Sequence, residues 1–276
     1  MARHRGRFNP ENPAPYELSR SRIENYLKCK ACFWLEQLRR VKPPEIPSFT
    51  INTTTDILLK RDADAVRGRQ TLPLWAAHGL DHIIPFEHEH LEKWTNSLHY
   101  GTNDTYFNTV HAESNIKLGG GLDDVFINTH TGQIHIVDYK STAQGTRSPM
   151  KYEKKPVSLN DPWKISYKRQ MDMYVWVARQ KGFDVSDIGY FVYVDAQHKD
   201  IAGMLNDDNP AVAWMQFDTS IIPYTANTTW IEPTLLEIRA FLEQETSCPA
   251  HTPKGDNYSG CDLGRYANEM MAALER

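Results

Sequence analysis

The spacing of apolar residues along the chain predicts four helices. Between residues 19 and 40, for example, Ile23, Tyr26, Trp34 and Leu38 recur at helical intervals. Prolines 43, 44 and 47 follow and end that pattern. The predicted helices cover residues 19–40, 53–67, 163–181 and 232–245. The tail from residue 248 begins as a loop rich in Pro and Gly, and a short helix is expected at its end.

Stretches rich in β-branched and aromatic residues lie between these helices and predict strands. They cover residues 116–140, 187–195 and 213–224. Residues 70–107 mix Pro, His and aromatics, and no element is predicted there. Helices before and after a central sheet predict an α/β or α+β fold.

Residues 119–140 have the pattern of a β-hairpin. Residues 129–132 suit a four-residue turn, because Gly132 can adopt positive φ. Around that turn, residues whose numbers sum to 261 face each other. Asp123 is then opposite Asp138 and Gly121 opposite Lys140, with all four on one face of the hairpin.

Two directly opposed carboxylates repel each other, and a divalent cation would remove that conflict. Gly121 opposite Lys140 would leave space for a substrate backbone to approach. The alternative is a solvated hairpin end in a different register. A slip of one residue would move Asp123 to the other face.

Composition restricts the protein class. The chain has 276 residues, 40% of them hydrophobic, and a net charge of −4, which argues against disorder and against non-specific polyanion binding. No apolar run approaches the roughly 20 residues that span a bilayer. The basic start, Met1 to Phe8, leads into Asn and Pro rather than an apolar core, so no secretory signal is predicted. A cytoplasmic protein without membrane contact is expected.

Three short motifs resemble those of the PD-(D/E)XK nuclease superfamily, in particular its RecB-like branch, which includes the CRISPR-adaptation exonucleases. They are Gly120-x-x-Asp123, Val137-Asp138-Tyr139-Lys140 and Gln170-Met-Asp-Met-Tyr174. Together they cover about residues 116–180. The spacing of Gln170 and Tyr174 puts both on one helical face.

The resemblance implies a restriction-endonuclease-like core, a central mixed β-sheet flanked by helices, with N- and C-terminal helical extensions. A single nuclease domain over residues 1–276 is expected. Its parts are an N-terminal helical part (1–110), a catalytic core (111–224) and a C-terminal helix with a cysteine-bearing tail (225–276).

The resemblance also implies a DNA nuclease with a preference for single strands or ends, working in repair, recombination or defence. Asp123, Asp138 and the backbone carbonyl of Tyr139 would ligate Mg²⁺ or Mn²⁺. Lys140 would position the attacking water or offset transition-state charge. Gln170 and Tyr174 would brace the site or contact the nucleic acid.

Two other functions remain open. One is a catalytically inactive nucleic-acid-binding subunit with the same fold, although Asp123, Asp138 and Lys140 are all intact. The other is an interaction module stabilised by metal at the cysteines, which leaves the hairpin unexplained.

Many relatives carry a further metal ligand, usually a His, on an upstream helix. Here Asn52-Thr-Thr-Thr-Asp56 has the matching spacing, so Asp56 is the candidate ligand. Asp62 and Asp64, on the same helix, are alternatives, as is an exposed, uninvolved Asp56. Without the His, endonuclease and exonuclease action both remain open.

Basic residues with interleaved aromatics follow the catalytic strand and suit a surface that guides the nucleic acid. A solvated surface loop is the alternative. The candidate nucleic-acid-binding residues are Lys151, Lys154, Lys155, Lys164, Lys168 and Arg169.

The four cysteines, Cys29, Cys32, Cys248 and Cys261, form the last candidate site. Iron–sulfur relatives take one cluster ligand from an N-terminal helix and three from the C-terminal segment, and the last of these would fall near Gly264. With Cys32 as the fourth thiolate, a [4Fe-4S] cluster or a zinc ion is expected. Buried thiols without metal are the alternative.

Overall fold

Two β-sheets with helices packed around them form the protein. The computed structural model describes residues 3–42, 50–144, 155–198, 201–244, 246–252 and 260–274. The α/β class predicted from the sequence is confirmed. The helices are α1 (Arg20–Lys28), α2 (Lys30–Trp34), α3 (Thr50–Val66), α4 (Pro73–Ala77), α5 (Leu91–Trp94), α6 (Ile165–Gln180), α7 (Ile231–Gln244) and α8 (Asp262–Leu274).

The smaller sheet has three strands and the larger has five. In the order β1-β4-β3, the smaller contains β1 (Tyr16–Ser19), β3 (Asn108–His111) and β4 (Ile116–Gly119). In the order β2-β5-β6-β7-β8, the larger contains β2 (Ile83–Pro85), β5 (Asp124–Asn128), β6 (Ile134–Thr142), β7 (Ile188–Ala196) and β8 (Phe217–Thr225). Among these pairings only β1–β4 and β6–β7 are parallel, so both sheets are mixed.

The predicted hairpin register is confirmed. Val125 pairs with Ile136 and Ile127 with Ile134, so the paired residue numbers sum to 261. Gly132 adopts a φ of 78°, as the turn requires. Asp123 directly precedes the first paired residue of β5, and its side chain lies on the side of the hairpin opposite to that of Asp124.

Alternation along β6 sends its side chains into two separate cores. Ile134 and Ile136 pack with Met171 and Val175 of α6. Val137 and Tyr139 face the opposite way, toward a cluster around Trp75. Helix α6 connects β6 to its parallel neighbour β7, which is the usual crossover between parallel strands. It therefore covers the β6 face on which Asp138 and Lys140 lie.

The helix predicted over residues 19–40 is divided. Cys29 is extended, with φ −158° and ψ 106°, and separates α1 from α2. A π-helical turn, Leu35–Arg39, then ends at Arg40, whose φ is 63°. The apolar spacing did not reveal the break because helical intervals resume directly after it.

The first 110 residues contain strands as well as the predicted helices. Strands β1 and β3 pair with β4, and β2 pairs with β5. These strands have three or four residues, too few for a periodicity to stand out, and β1 pairs with residues far along the chain. Within the described ranges, no helix has the length and apolar character needed to span a membrane.

Candidate active site

The predicted site residues meet at a cavity of about 350 Å³ beside the open end of the hairpin. Six separate segments of the chain form its wall. The predicted residues that line it are Asp56, Asp123, Tyr139, Lys140, Gln170 and Tyr174. Asp138 lies just behind this wall and is 2% exposed.

Asp123 and Asp138 are held by different parts of the fold. The backbone N–H of Tyr139 donates to Asp123 Oδ2 at 2.9 Å. Gln170 Nε2 donates to Asp138 Oδ1 at 2.6 Å. Asp138 Oδ2 forms an ion pair with Lys140 Nζ, and within the described residues it accepts no hydrogen bond. One oxygen of each carboxylate is therefore fixed by a neutral N–H donor.

The site concentrates negative charge away from water. Burial and the nearby Asp138 charge raise the pKa of Asp123 to about 7. Burial and the Asp123 charge raise the pKa of Asp56 to about 6. Burial opposes the charge of Lys140, but attraction to Asp138 and Asp123 outweighs it and raises the lysine pKa. Because one ammonium faces three carboxyl groups, a hard divalent cation suits this donor set.

Asp124, next to Asp123 in sequence, faces the opposite side of the hairpin. Its Oδ2 accepts hydrogen bonds from Arg67 Nη2 and Tyr139 Oη, both at 2.9 Å. Its Oδ1 accepts the N–H of Val125 at 2.8 Å. This carboxylate is fully buried and satisfied, so it serves the fold, whereas Asp123 faces the cavity.

The structure separates the three acidic candidates on α3. Asp56 is half-buried and lines the cavity. Asp62 and Asp64 are exposed, and Asp64 accepts a hydrogen bond from Arg67 Nε at 2.8 Å. The hydroxyl of Thr55 contacts that of Ser141 near the end of β6, and this contact joins α3 to β6.

Two glycines let the hairpin approach its neighbours closely. A Cβ added to Gly120 would lie 2.8 Å from Tyr174 Oη. A Cβ added to Gly121 would lie 2.8 Å from the backbone N of Ser97. Ser97 therefore occupies the position that a side chain at residue 121 would take, while Gly121 itself lines the cavity.

Arg20 is a cavity residue that the sequence analysis missed. It lines the cavity as the first residue of α1. Burial raises the pKa of Tyr174 to about 12, and the adjacent Arg20 charge opposes this shift. Recognition of Arg20 required β1, since the pairing of β1 with β4 brings the start of α1 to the hairpin.

The predicted basic surface is only partly described. Lys155 is exposed and Lys168 half-buried, whereas Arg169 pairs with Glu24 at 3.1 Å. Lys164 is fully buried and donates to the carbonyl of Ser158 at 2.5 Å, so its ammonium faces the interior. Three further basic residues, Arg147, Lys151 and Lys154, lie outside the described residues.

An aromatic pair lies beside Lys140. Lys140 Nζ lies 5.0 Å from the ring centroid of Tyr167. The Tyr167 ring meets that of Trp163 edge to face, with centroids 5.6 Å apart. Trp163 is 39% exposed, and Lys164 Nζ lies 4.9 Å from its ring centroid.

A second group of potential metal ligands lies at the N-terminal helices. Sulfur and nitrogen atoms of Cys29, Cys32, His251 and Cys261 all lie within 4.8 Å of one another. Cys248 is exposed and does not belong to this group. The structure thus unites three of the four predicted cysteines and adds His251. Histidine is a common metal ligand, and the position of His251 in the cysteine-bearing tail could have identified it from the sequence.

Comparison with known proteins gives one match. A sequence model described as the PD-(D/E)XK nuclease superfamily matches residues 17–221, well over half of the chain. The matched range extends from β1 into β8 and includes the whole cavity wall. No curated protein and no solved structure matches the chain.

Proposed function

Because the chain belongs to the PD-(D/E)XK nuclease superfamily, we propose that it is a metal-dependent nuclease that hydrolyses DNA phosphodiester bonds. The observation that carries the proposal is a pair of carboxylates beside Lys140, with Asp123 half-buried at the cavity wall and Asp138 buried behind it. Two such carboxylates next to a single ammonium are costly in a merely structural hairpin. They are favourable where a cation binds.

The residues present fit a divalent cation. Asp123 and Asp138, with Asp56 and the carbonyl oxygen of Tyr139, would hold Mg²⁺ or Mn²⁺, both of which prefer oxygen ligands. Asp138 Oδ2 is buried and forms an ion pair with Lys140 Nζ, so it carries negative charge that a cation could share with that ammonium. When bound, the metal would activate water and stabilise charge on the scissile phosphate.

Other groups of the chain orient the two carboxylates and would balance negative charge on the substrate. Gln170 and the N–H of Tyr139 each fix one carboxylate oxygen, which sets the orientation of the acidic pair. The Lys140 ammonium, with 17% of its side chain exposed, lies at the cavity wall. There it would offset negative charge that develops on the phosphate oxygens.

A preference for single strands or ends is the finer part of the proposal. Its support is the exposed ring of Trp163, which rests on Tyr167 next to Lys140. Unpaired bases stack on such rings, whereas bases inside a duplex are not available to them.

The proposal extends to the biological role of the chain and to its compartment. The spacing of Gln170 and Tyr174 on α6 favours the RecB-like branch and so a role in repair, recombination or defence. Three thiols lie close together at the second ligand group, as a reducing compartment such as the cytoplasm maintains them.

The test is cleavage of labelled linear duplex, circular duplex, single-stranded DNA and single-stranded RNA with Mg²⁺ or Mn²⁺. Lys140→Ala and Asp123→Asn should lose at least a hundredfold in rate. Asp56→Asn should shift activity to higher metal concentration. Asp62→Asn is the matched control, because Asp62 lies on the same helix, is exposed and does not line the cavity.

Each outcome decides a part of the proposal. No cleavage of any substrate, with metal-independent binding of DNA, would favour the inactive binding subunit. Full activity of Lys140→Ala would refute the assigned centre. Cleavage of RNA alone would refute the DNA substrate. Equal rates on circular and linear duplexes, with slower cleavage of single strands, would refute the strand and end preference.

A further inference from the structure

Away from the active site, the C-terminal tail meets the first two helices through sulfur and imidazole groups. Cys29 ends α1 and Cys32 lies in α2, while His251 and Cys261 come from the tail. The N–H of Gly260 donates to the carbonyl of Lys28 at 3.1 Å. Residues more than two hundred positions apart in sequence therefore share one small cluster.

The distances within this cluster suit one tetrahedral ion. Cys29 Sγ lies 3.5 Å and Cys32 Sγ 3.6 Å from His251 Nδ1. Zinc bonds of about 2.3 Å to sulfur and about 2.0–2.1 Å to nitrogen place such a pair about 3.6 Å apart across a tetrahedron. Cys32 Sγ and Cys261 Sγ lie 3.0 Å apart. Two sulfurs on one zinc are about 3.8 Å apart, so this pair would separate slightly on binding.

The backbone around the cluster also suits a thiolate site. The N–H of Gly264 donates to Cys261 Sγ at 3.2 Å, and such bonds stabilise a charged sulfur. A Cβ added to Gly264 would lie 2.3 Å from the Cβ of His251. Glycine at 264 therefore lets His251 reach the three sulfurs and occupy the space that a side chain there would take.

We propose that Cys29, Cys32, His251 and Cys261 bind a single structural Zn²⁺ that ties the C-terminal tail to the N-terminal helices. A four-iron cluster would distribute four ligands over separate iron atoms and normally takes four thiolates. Here the ligand atoms converge on one point, and the fourth is an imidazole nitrogen. Closed sites with three cysteines and one histidine are typical of structural zinc. This proposal does not depend on the proposed nuclease activity.

The first test is the metal content of full-length protein purified without added metal. One zinc per chain is expected, with no iron or acid-labile sulfide. Replacement by Co²⁺ should give the intense visible bands of a tetrahedral, thiolate-rich site. A brown protein containing iron and sulfide would overturn the proposal, and so would metal-free protein or a Cys32–Cys261 disulfide.

Variants then test the ligand set. Cys261→Ser and His251→Ala should lose at least tenfold in zinc affinity and unfold at lower temperature. Cys248→Ser is the matched control in the same tail and should retain one zinc per chain. His251→Cys should retain zinc in a four-cysteine site, which guards against a variant that simply fails to fold. Zinc lost from Cys248→Ser but kept by His251→Ala would refute the assignment.

Discussion

Gln170 Nε2 donates a 2.6 Å hydrogen bond to Asp138 Oδ1, and this bond joins the crossover helix α6 to strand β6. Both groups are at least nine-tenths buried. The amide thus fixes one oxygen of a carboxyl group that is almost fully buried. Supporting hydrogen bonds of this kind set the orientation and basicity of metal-binding carboxylates.

Replacement of Gln170 by Leu should therefore weaken metal-dependent cleavage. Loss of such a supporting group typically costs ten- to a hundredfold in metal affinity or activity. Titration of the cleavage rate with Mg²⁺ would show the shift in half-saturation. Gln180→Leu, at the exposed end of the same helix, is the control and should behave like wild type. An unchanged Mg²⁺ dependence in Gln170→Leu would contradict the role assigned to Gln170.

The neighbours Asp123 and Asp124 should respond in opposite ways to the same substitution. Asp124→Asn breaks a buried contact with Arg67 and should lower the free energy of unfolding by about 3 kcal/mol. Asp123→Asn removes a half-buried charge that Asp138 repels, so it should leave the metal-free protein equally or more stable, yet abolish cleavage. Urea unfolding in magnesium-free buffer measures both effects. Equal destabilisation by the two variants would contradict the register.

Much of this centre could be predicted from the sequence because it depends on local geometry. A turn with Gly132 fixes which residues of a hairpin face each other, and a spacing of four puts Gln170 and Tyr174 on one helical face. Arg20 and His251 could not be predicted in the same way. Arg20 depends on the long-range pairing of β1 with β4, and His251 on the packing of the tail against α1.

Stability without metal should fall as the pH rises. In the folded protein the pKa is about 7 for Asp123 and about 6 for Asp56, whereas the carboxyl groups of an unfolded chain have a pKa of about 4. Between these values the folded state binds more protons, so the free energy of unfolding decreases from about pH 4 to about pH 7.

Urea unfolding at several pH values in magnesium-free buffer would measure this slope. Mg²⁺ should reverse the trend, because it binds the ionised carboxylates and its affinity rises with pH. Asp123→Asn should flatten the slope, while Asp62→Asn should leave it unchanged. If the free energy of unfolding fell as steeply with pH in Asp123→Asn as in wild type, groups other than Asp123 would cause the pH dependence.

The exposed ring of Trp163 should contribute to binding of single-stranded DNA. Base stacking on an aromatic ring is worth about 1–3 kcal/mol, so Trp163→Ala should weaken binding by roughly 5- to 150-fold. Anisotropy of a labelled oligonucleotide, with Ca²⁺ in place of Mg²⁺ to prevent cleavage, measures this.

Two further variants separate stacking from other causes. Trp163→Phe keeps an aromatic face over Tyr167 and should retain most of the affinity. Trp214→Ala removes a ring that is 70% exposed but does not line the cavity, so it should have no effect. If Trp163→Ala weakened duplex binding as much as single-strand binding, Trp163 would act through the local fold around the buried Lys164 rather than by stacking on unpaired bases.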